Sequence, residues 1–317
     1  MTTIACVIPV YNEERHIAAV IDSIPDLVHR IVVVDDASTD KTVDVIRQLN
    51  DPRIILVRQS INKGVGGAMI TGYRTAMELG CDIMVKMDGD GQMDPLYLAA
   101  LVKPVAAGMA DYAKGARFHH LQALKKMPWG RLWGNIGLSF LLKAASGYWN
   151  ILDPTNGYTA LSRVALSRLP LDSLSNGFFF ESDMLIALAK IRAVVVDISI
   201  PARYGSEKSH LSPMRSLVSF PWQLLKGFCS RILWQYFLLD FNVCSVFMIS
   251  GSVLVAFAGS FGSYHWIKNF ANQVVTPTGT IMIAALTAIL GFQLLLQSIV
   301  LDVQNIPRSP LQGMTSD

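Results

Sequence analysis

The first half of the chain alternates short apolar runs with segments of helical character, and this alternation constrains the fold more than any other feature. Four runs are as continuously apolar as strands buried in a parallel sheet, at residues 4–10, 30–36, 54–57 and 81–87. The segments between them predict helices at residues 11–24, 40–49 and 62–79. Strands and helices in this order form βαβ units, so we expect an α/β domain whose sheet is covered on both faces.

Two carboxylates follow the fourth apolar run, in the stretch Asp88-Gly89-Asp90. In sheets of this kind, ligands bind beyond the carboxyl ends of the strands. Two hard oxygen ligands at such a place suit Mg²⁺ or Mn²⁺, and an ion held in this way keeps open positions for the diphosphate of a nucleotide. An acidic surface turn is the alternative interpretation, because Asp and Gly are turn formers.

The glycines at residues 64–67 are weaker evidence for a phosphate site. No Gly-Lys-Ser/Thr follows them, which excludes a Walker A loop, and they do not follow the first strand as a dinucleotide-binding motif would. Close packing around small residues is the interpretation that we favour.

Four motifs, at residues 9–14, 34–40, 62–64 and 88–92, come in an order and spacing that resemble the family-two inverting glycosyltransferases. The resemblance is closest to the polyprenyl-phosphate mannose and glucose synthases, such as those that use dolichyl phosphate, and it covers residues 4–212. It implies a GT-A type fold, in which a Rossmann-like nucleotide-sugar-binding domain has a mixed, mostly parallel sheet. It also implies a metal-dependent hexosyltransferase that uses a UDP- or GDP-linked sugar and an undecaprenyl- or dolichyl-type phosphate acceptor.

The resemblance further implies roles for individual residues. The donor would be bound by residues at three strand ends: Pro9, Tyr11, Glu13 and Asp36 at the nucleoside, and Asp88, Asp90 and Gln92 at the metal and the diphosphate. Arg117, Arg131 and Asn135 match positions that bind the lipid phosphate, and Arg203, Lys208 and Ser209 match a loop that closes over the phosphates. The catalytic candidates are Asp90, Arg117, Arg131, Asp153 and Glu181.

Three of these segments also have plain structural interpretations. Residues 127–143 are either a core helix or an interfacial helix beside the site, because Trp129, Trp133 and Phe140 share one face. The loop at residues 201–210 is alternatively a solvated charged loop. Glu181 is alternatively an acid in the first turn of a helix. In the loop at residues 153–160, Gly157 and Thr159 occupy the positions nearest to those where many relatives carry an acidic residue or an arginine, which weakens a catalytic base there.

The last third of the chain is strongly apolar, in a protein that is 51% hydrophobic overall. Residues 241–261 and 281–301 contain no charged residue and are long enough to span a bilayer, with His265 and Lys268 in the expected connector. Basic residues before and after this hairpin, Arg215, Lys226, Arg231 and Arg308, predict that both of its ends are cytoplasmic.

We therefore expect a multi-pass protein of the inner or plasma membrane with a cytoplasmic catalytic domain. The predicted parts are a glycosyltransferase domain at residues 1–212, juxtamembrane interfacial helices at 213–240, a transmembrane hairpin at 241–303 and a tail at 304–317. The tail after Pro307 is expected to be disordered.

The net charge and the cysteine content exclude some classes of function. The net charge of +3 is too small to indicate nucleic acid binding, and the four cysteines show no metal or disulfide pattern. A transferase that acts on a polysaccharide or glycolipid hydroxyl is one alternative, although residues 223–227 fail the Gln-x-x-Arg-Trp motif of processive members. A non-catalytic membrane protein that binds a nucleotide-sugar is another. Association into a homo-oligomer is left open.

Overall fold

The computed structural model describes residues 2–117, 129–201 and 213–314. The chain divides into two compact units. The first contains the chain up to Arg231 together with the segment from Pro307 onward, and the second spans Ile232–Ile306.

The elements up to residue 116 follow the predicted alternation. They are β1 (Ile4–Val10), α1 (Ile17–Asp22), β2 (Arg30–Asp35), α2 (Thr42–Gln48), β3 (Ile54–Arg58), α3 (Gly64–Glu78), β4 (Ile83–Lys86), α4 (Leu98–Ala106) and β5 (Tyr112–Ala116). The apolar runs are buried as expected, and Cys6, Val32 and Val85 have no exposed surface. Burial of such runs supplies most of the stabilisation of an α/β domain.

The helix expected from residue 11 begins only at Ile17. Asn12 has a left-handed φ of 58°, which a helix does not accommodate. The amides of Asn12 and Glu13 are instead bound by the side-chain oxygens of Ser38 and Thr42, at 3.0 and 2.8 Å. Residues 11–16 therefore form a turn that is tied to the loop after β2 and to the start of α2.

The following part of the first unit contains α5 (Trp129–Ser146), β6 (Thr159–Ser162), α6 (Arg163–Arg168), α7 (Phe180–Lys190), β7 (Val195–Ser199) and α8 (Pro213–Leu233). The described strands form one seven-stranded sheet in the order β3-β2-β1-β4-β6-β5-β7. Only β6 among them pairs antiparallel with its neighbours, β4 and β5. The expected mixed, mostly parallel sheet is confirmed, but the loop predicted at residues 153–160 ends earlier, because Thr159 and Ala160 belong to the antiparallel strand β6.

Two long helices make up most of the second unit, α9 (Val243–Ala271) and α10 (Thr278–Gln304). Both are long and apolar enough to cross a membrane, with mean hydropathies of 1.9 and 2.0 over their most apolar windows. They approach closely at two glycines, because a Cβ on Gly251 would lie 2.9 Å from the carbonyl oxygen of Gly291. His265 and Lys268 lie within the last turns of α9 and not in the connector, which is residues 272–277.

The expectation of a disordered tail is wrong for the residues that the structure describes. Leu311 is buried, and its backbone amide donates to both carboxylate oxygens of Asp111, at 2.9 and 3.0 Å. The side-chain amide of Gln312 donates to the carbonyl oxygens of Val105 and Ala110. The segment after Pro307 therefore packs on the first unit beside the start of β5.

Candidate active site

Asp36 lies at the end of β2 and orders the loop that leads into α3. Its two carboxylate oxygens accept from the backbone amides of Lys63 and Gly64, both at 2.8 Å. Gly64 has a φ of 83°, a conformation that favours glycine. The predicted contact of Asp36 with a ribose or base stays a prediction, and in this structure its carboxylate braces the loop.

The glycines at the start of α3 allow close packing, which is the interpretation that we favoured from the sequence. The amides of Gly66 and Gly67 donate to the carbonyl oxygen of Asn176, at 2.8 and 3.2 Å. A Cβ on Gly66 would lie 2.2 Å from the carbonyl oxygen of Ser175, so only glycine fits there. The two amides at this end of α3 are therefore engaged with the loop at residues 175–177.

Asp88 and Asp90 follow β4, on either side of a glycine that packs on the end of β1. A Cβ on Gly89 would lie 2.9 Å from Cγ1 of Val10. The Oδ1 atom of Asp90 accepts from the backbone amide of Gln92 at 3.0 Å, which orders the turn. The side chain of Asp88 keeps 33% of its surface exposed, so it is accessible to a ligand.

Lys86, the last residue of β4, lies directly beneath Asp88. Its ammonium nitrogen is 3.0 Å from Oδ1 of Asp88 and 2.8 Å from Oε1 of Glu181, at the start of α7. Burial acts to lower the pKa of Lys86, but the two carboxylates outweigh it and raise that pKa. Burial likewise acts to raise the pKa of Glu181, and Lys86 holds it below its ordinary value. Both groups are therefore charged, and the carboxylate of Glu181 is already engaged by a cation.

Arg117 lies just after β5 and is held by the buried carboxylate of Asp153. Its Nε atom is 2.8 Å from Oδ2 of Asp153, and a second nitrogen is 3.3 Å from Oδ1. The side chain of Arg117 remains 43% exposed, whereas that of Asp153 has no exposed surface. Asp153 therefore orients Arg117 from below.

The loop at residues 153–158 is fixed by a second buried lysine. Lys114 on β5 donates to the backbone carbonyl oxygen of Asn156, whose side-chain nitrogen donates to the carbonyl oxygen of Gly115 at 2.7 Å. Burial lowers the pKa of Lys114 to about 8. Lys86 and Lys114 were not predicted as site residues, although a lysine inside an otherwise apolar strand was a signal for both.

One cavity of about 400 Å³ brings five of the predicted residues together. Its walls include Asp88, Asp90, Gln92, Arg117 and Glu181. The loop at residues 155–158 and the apolar side chains of Leu138, Phe178, Ile200 and Phe220 complete it. The carboxylates and Arg117 thus share a space that is large enough for a phosphorylated ligand.

The other predicted residues lie elsewhere. Pro9, Tyr11, Glu13 and Asp36 lie at the ends of β1 and β2, outside the walls of this cavity, and Asp153 is buried behind Arg117. Arg131 and Asn135 fall on the first turns of α5, where the backbone is described and the side chains are not. Arg203, Lys208 and Ser209 lie outside the described residues.

The donor atoms fit a divalent cation that takes part of its coordination from a ligand. Asp88 and Asp90 offer carboxylate oxygens and Gln92 an amide oxygen, which are the atom types that Mg²⁺ and Mn²⁺ prefer. Within residues 2–117, 129–201 and 213–314, no group of three His, Cys, Asp or Glu side chains is placed to hold a metal by itself. Divalent cations of this kind commonly keep water or ligand oxygens beside one or two carboxylates.

Comparison with known proteins decides the family. Residues 5–169 match the sequence profile described as Glycosyl transferase family 2. The chain belongs to glycosyl transferase family 2. The expected family and its fold class are thereby confirmed, and this protein is a glycosyltransferase.

The names of two curated relatives of this glycosyltransferase include a lipid phosphate as the sugar acceptor. It is 32% identical over 213 residues to a UDP-N-acetylglucosamine–dolichyl-phosphate N-acetylglucosaminyltransferase of Methanococcus voltae, covering 62% of this chain and 84% of the relative. It is 32% identical over 199 residues to an undecaprenyl-phosphate mannosyltransferase of Micrococcus luteus, covering 61% and 81%.

A solved structure supports the same fold. Glucosyl-3-phosphoglycerate synthase from Mycobacterium tuberculosis, in complex with Mn²⁺, UDP-glucose and phosphoglyceric acid, matches with a TM-score of 0.54 and 25% identity. The match covers 73% of this chain and 79% of that chain.

Proposed function

We propose that this glycosyltransferase moves a hexose from a nucleotide-sugar to a polyprenyl phosphate, with inversion at the anomeric carbon. The observation that carries the proposal is the cavity in which the carboxylates of Asp88 and Asp90 share a space with the oriented guanidinium of Arg117. The first group suits a metal-bound diphosphate and the second suits a phosphate. The names of both curated relatives include a polyprenyl-phosphate acceptor.

Asp88, Asp90 and Gln92 would hold a Mg²⁺ or Mn²⁺ ion together with the donor diphosphate. When bound, the cation would offset the negative charge of the leaving nucleoside diphosphate. The solved structure with Mn²⁺ and UDP-glucose supports this assignment by its fold. At the nucleoside end we propose Pro9, Tyr11, Glu13 and Asp36, which lie at the ends of the neighbouring strands.

Arg117 would bind the acceptor phosphate, since a guanidinium contacts phosphate oxygens in a bidentate way. Asp153 orients that guanidinium from below. Arg131 and Asn135 on α5 remain proposed contacts of the same phosphate, and Arg203, Lys208 and Ser209 of the donor phosphates.

A strong general base is not required in this site. A polyprenyl phosphate is already an anion, so it can attack the anomeric carbon without first losing a proton. This agrees with a glycine at residue 157 and with the engagement of Glu181 by Lys86. Direct in-line attack inverts the anomeric configuration, so an α-linked donor gives a β-linked lipid product.

The second unit would anchor the protein in the membrane. The helices α9 and α10 have the length and apolar character for two spans. We propose that both ends of this hairpin are cytoplasmic, because Lys226, Arg231 and Arg308 flank it. The catalytic domain would then face the cytoplasm.

The test is a transfer assay with full-length protein in detergent, Mn²⁺, a panel of UDP- and GDP-sugars, and undecaprenyl or dolichyl phosphate. We expect labelled sugar to enter the organic extract with at least one donor. Label that enters only a water-soluble polymer or glycoside would show a hydroxyl acceptor instead. No transfer with any donor would contradict the proposal.

A matched pair of variants assigns the role of Arg117. Arg117→Lys keeps the positive charge and loses the bidentate geometry, so the acceptor Km should rise about tenfold, the equivalent of one charge-assisted hydrogen bond. Arg74→Lys, which changes an arginine paired with Asp172 on the surface, should leave the acceptor Km unchanged. An unchanged acceptor Km in Arg117→Lys, with weakened donor binding, would move Arg117 to the donor.

A further inference from the structure

Lys86 is enclosed by the groups around it. The side chain is 2% exposed, and its nitrogen lies between a carboxylate of the proposed metal site, Asp88, and Glu181. The glycine at residue 157 covers it, since a Cβ there would lie 2.5 Å from the lysine nitrogen and 3.3 Å from Oδ2 of Asp88. A side chain at residue 157 would therefore displace Lys86 or Asp88.

The formal charges of Asp88, Asp90, Lys86 and Glu181 add up to two negative charges. Asp88 and Asp90 together carry two negative charges, and Lys86 in contact with Asp88 cancels one of them. Glu181 supplies a carboxylate on the other side of Lys86 and restores the total. These four groups together carry two negative charges, and Arg117 in the same cavity is paired with the carboxylate of Asp153.

We infer that Lys86 and Glu181 form a charge-balancing pair that positions Asp88 and sets the affinity of the site for its divalent cation. This inference rests on the proposed function, because it presumes that Asp88 and Asp90 bind the cation. Glu181 is then a positioning residue and not the base of the reaction. Its carboxylate keeps Lys86 from neutralising the metal ligand.

A purely structural role for the pair makes a different prediction. The contact joins the end of β4 to the start of α7, two elements that are distant in sequence. If it served stability alone, removing a charge would change the unfolding transition and leave cation affinity unaltered. The measurement must therefore report cation binding directly.

The experiment is a titration of full-length protein with Mn²⁺, in which electron paramagnetic resonance measures the free ion. Glu181→Gln keeps the shape and a hydrogen-bond acceptor for Lys86, but it leaves the site with one net negative charge. We expect the Mn²⁺ dissociation constant to rise about tenfold, because the loss of one negative charge weakens the attraction for the cation while the partly exposed Asp88 lets solvent screen the effect. In Lys86→Met/Glu181→Gln the total returns to two negative charges, and the constant should return to within about threefold of the wild-type value.

Asp183→Asn is the matched control. It removes a carboxylate from the same first turn of α7, but that carboxylate accepts from the backbone amide of Ser175 and has no contact with Lys86. We expect its Mn²⁺ dissociation constant to stay within about threefold of the wild type, because Asp183 takes no part in the contacts of Lys86 with Asp88 and Glu181. A thermal melt of each variant shows that it is folded under the assay conditions.

The outcomes separate this inference from the proposed function. Wild-type protein that binds no Mn²⁺ would overturn both the metal assignment and the inference. Wild-type binding with an unchanged constant in Glu181→Gln would overturn the inference and leave the metal assignment intact. A double variant that binds as weakly as Glu181→Gln would also overturn it, because restoring the charge would then not restore affinity.

Discussion

The buried carboxylate of Asp111 should be one of the strongest single contributors to the stability of the first unit. It lies just before β5 and has no exposed surface. It accepts from the backbone amide of Val194, at 2.8 Å, and from that of Leu311, at 2.9 and 3.0 Å. It thus joins the start of β7 and the C-terminal segment to the sheet.

The expected effect follows from these contacts. A hydrogen bond to a charged group contributes roughly 1.5–3 kcal/mol, so Asp111→Ala, which removes the acceptor of two buried amides, should lower the free energy of unfolding by roughly 3–6 kcal/mol. Asp111→Asn keeps one carbonyl oxygen and should lose about half as much. In Asp111→Ala the C-terminal segment loses the acceptor of the Leu311 amide, and the side chain of Gln312 still holds it to Val105 and Ala110.

The assay is urea unfolding in detergent, followed by tryptophan fluorescence, with limited proteolysis to detect release of the segment after Pro307. Asp82→Ala is the control, because Asp82 also accepts a backbone amide, that of Thr3, but at an exposed site. Its loss should stay below about 1 kcal/mol, as is usual at exposed sites. An Asp111→Ala protein as stable as the control and equally resistant to protease would refute this reasoning.

Two further predictions concern pH and topology. Because burial lowers the pKa of Lys114 from its ordinary 10.5 to about 8, the unfolded chain binds more protons between these values, so stability should rise with pH across that window. Lys114→Met should abolish this part of the rise in urea unfolding measured from pH 7.5 to 10.5, and an unchanged slope would contradict the assignment. For topology, Val274→Cys in a background without the native cysteines places a thiol in the exposed connector of the hairpin. An impermeant thiol reagent should label it in intact cells, and labelling only after lysis would contradict a cytoplasmic catalytic domain.

The elements that were predictable from the sequence are those whose apolar residues lie together within one segment. The strands β1 to β4 consist mainly of consecutive apolar residues, and α9 and α10 are apolar over most of their length. Their identity depends on composition within the segment itself. The carboxylates at residues 88 and 90 were also predictable, because they follow directly from the end of such a strand.

The parts that were missed depend on partners distant in the sequence. The strand β6 has four residues and includes Thr159 and Ser162, so its burial comes from pairing and not from its own pattern. Lys86 pairs with a carboxylate 95 positions away, and Leu311 with one 200 positions away. A lysine in an apolar run indicates a buried cation, but it does not indicate which carboxylate lies opposite.

The antiparallel direction of β6 explains why the site can form at all. Thr159, its first residue, pairs with Lys86 near the end of β4 and with Lys114 on β5. A strand that starts where its neighbours end places the preceding loop, residues 153–158, at the carboxyl edge of the sheet. That loop therefore lies beside Asp88 on one side and Arg117 on the other. A parallel strand at this position would have carried the same loop to the opposite edge, and the donor-side carboxylates would have lost the wall that faces them.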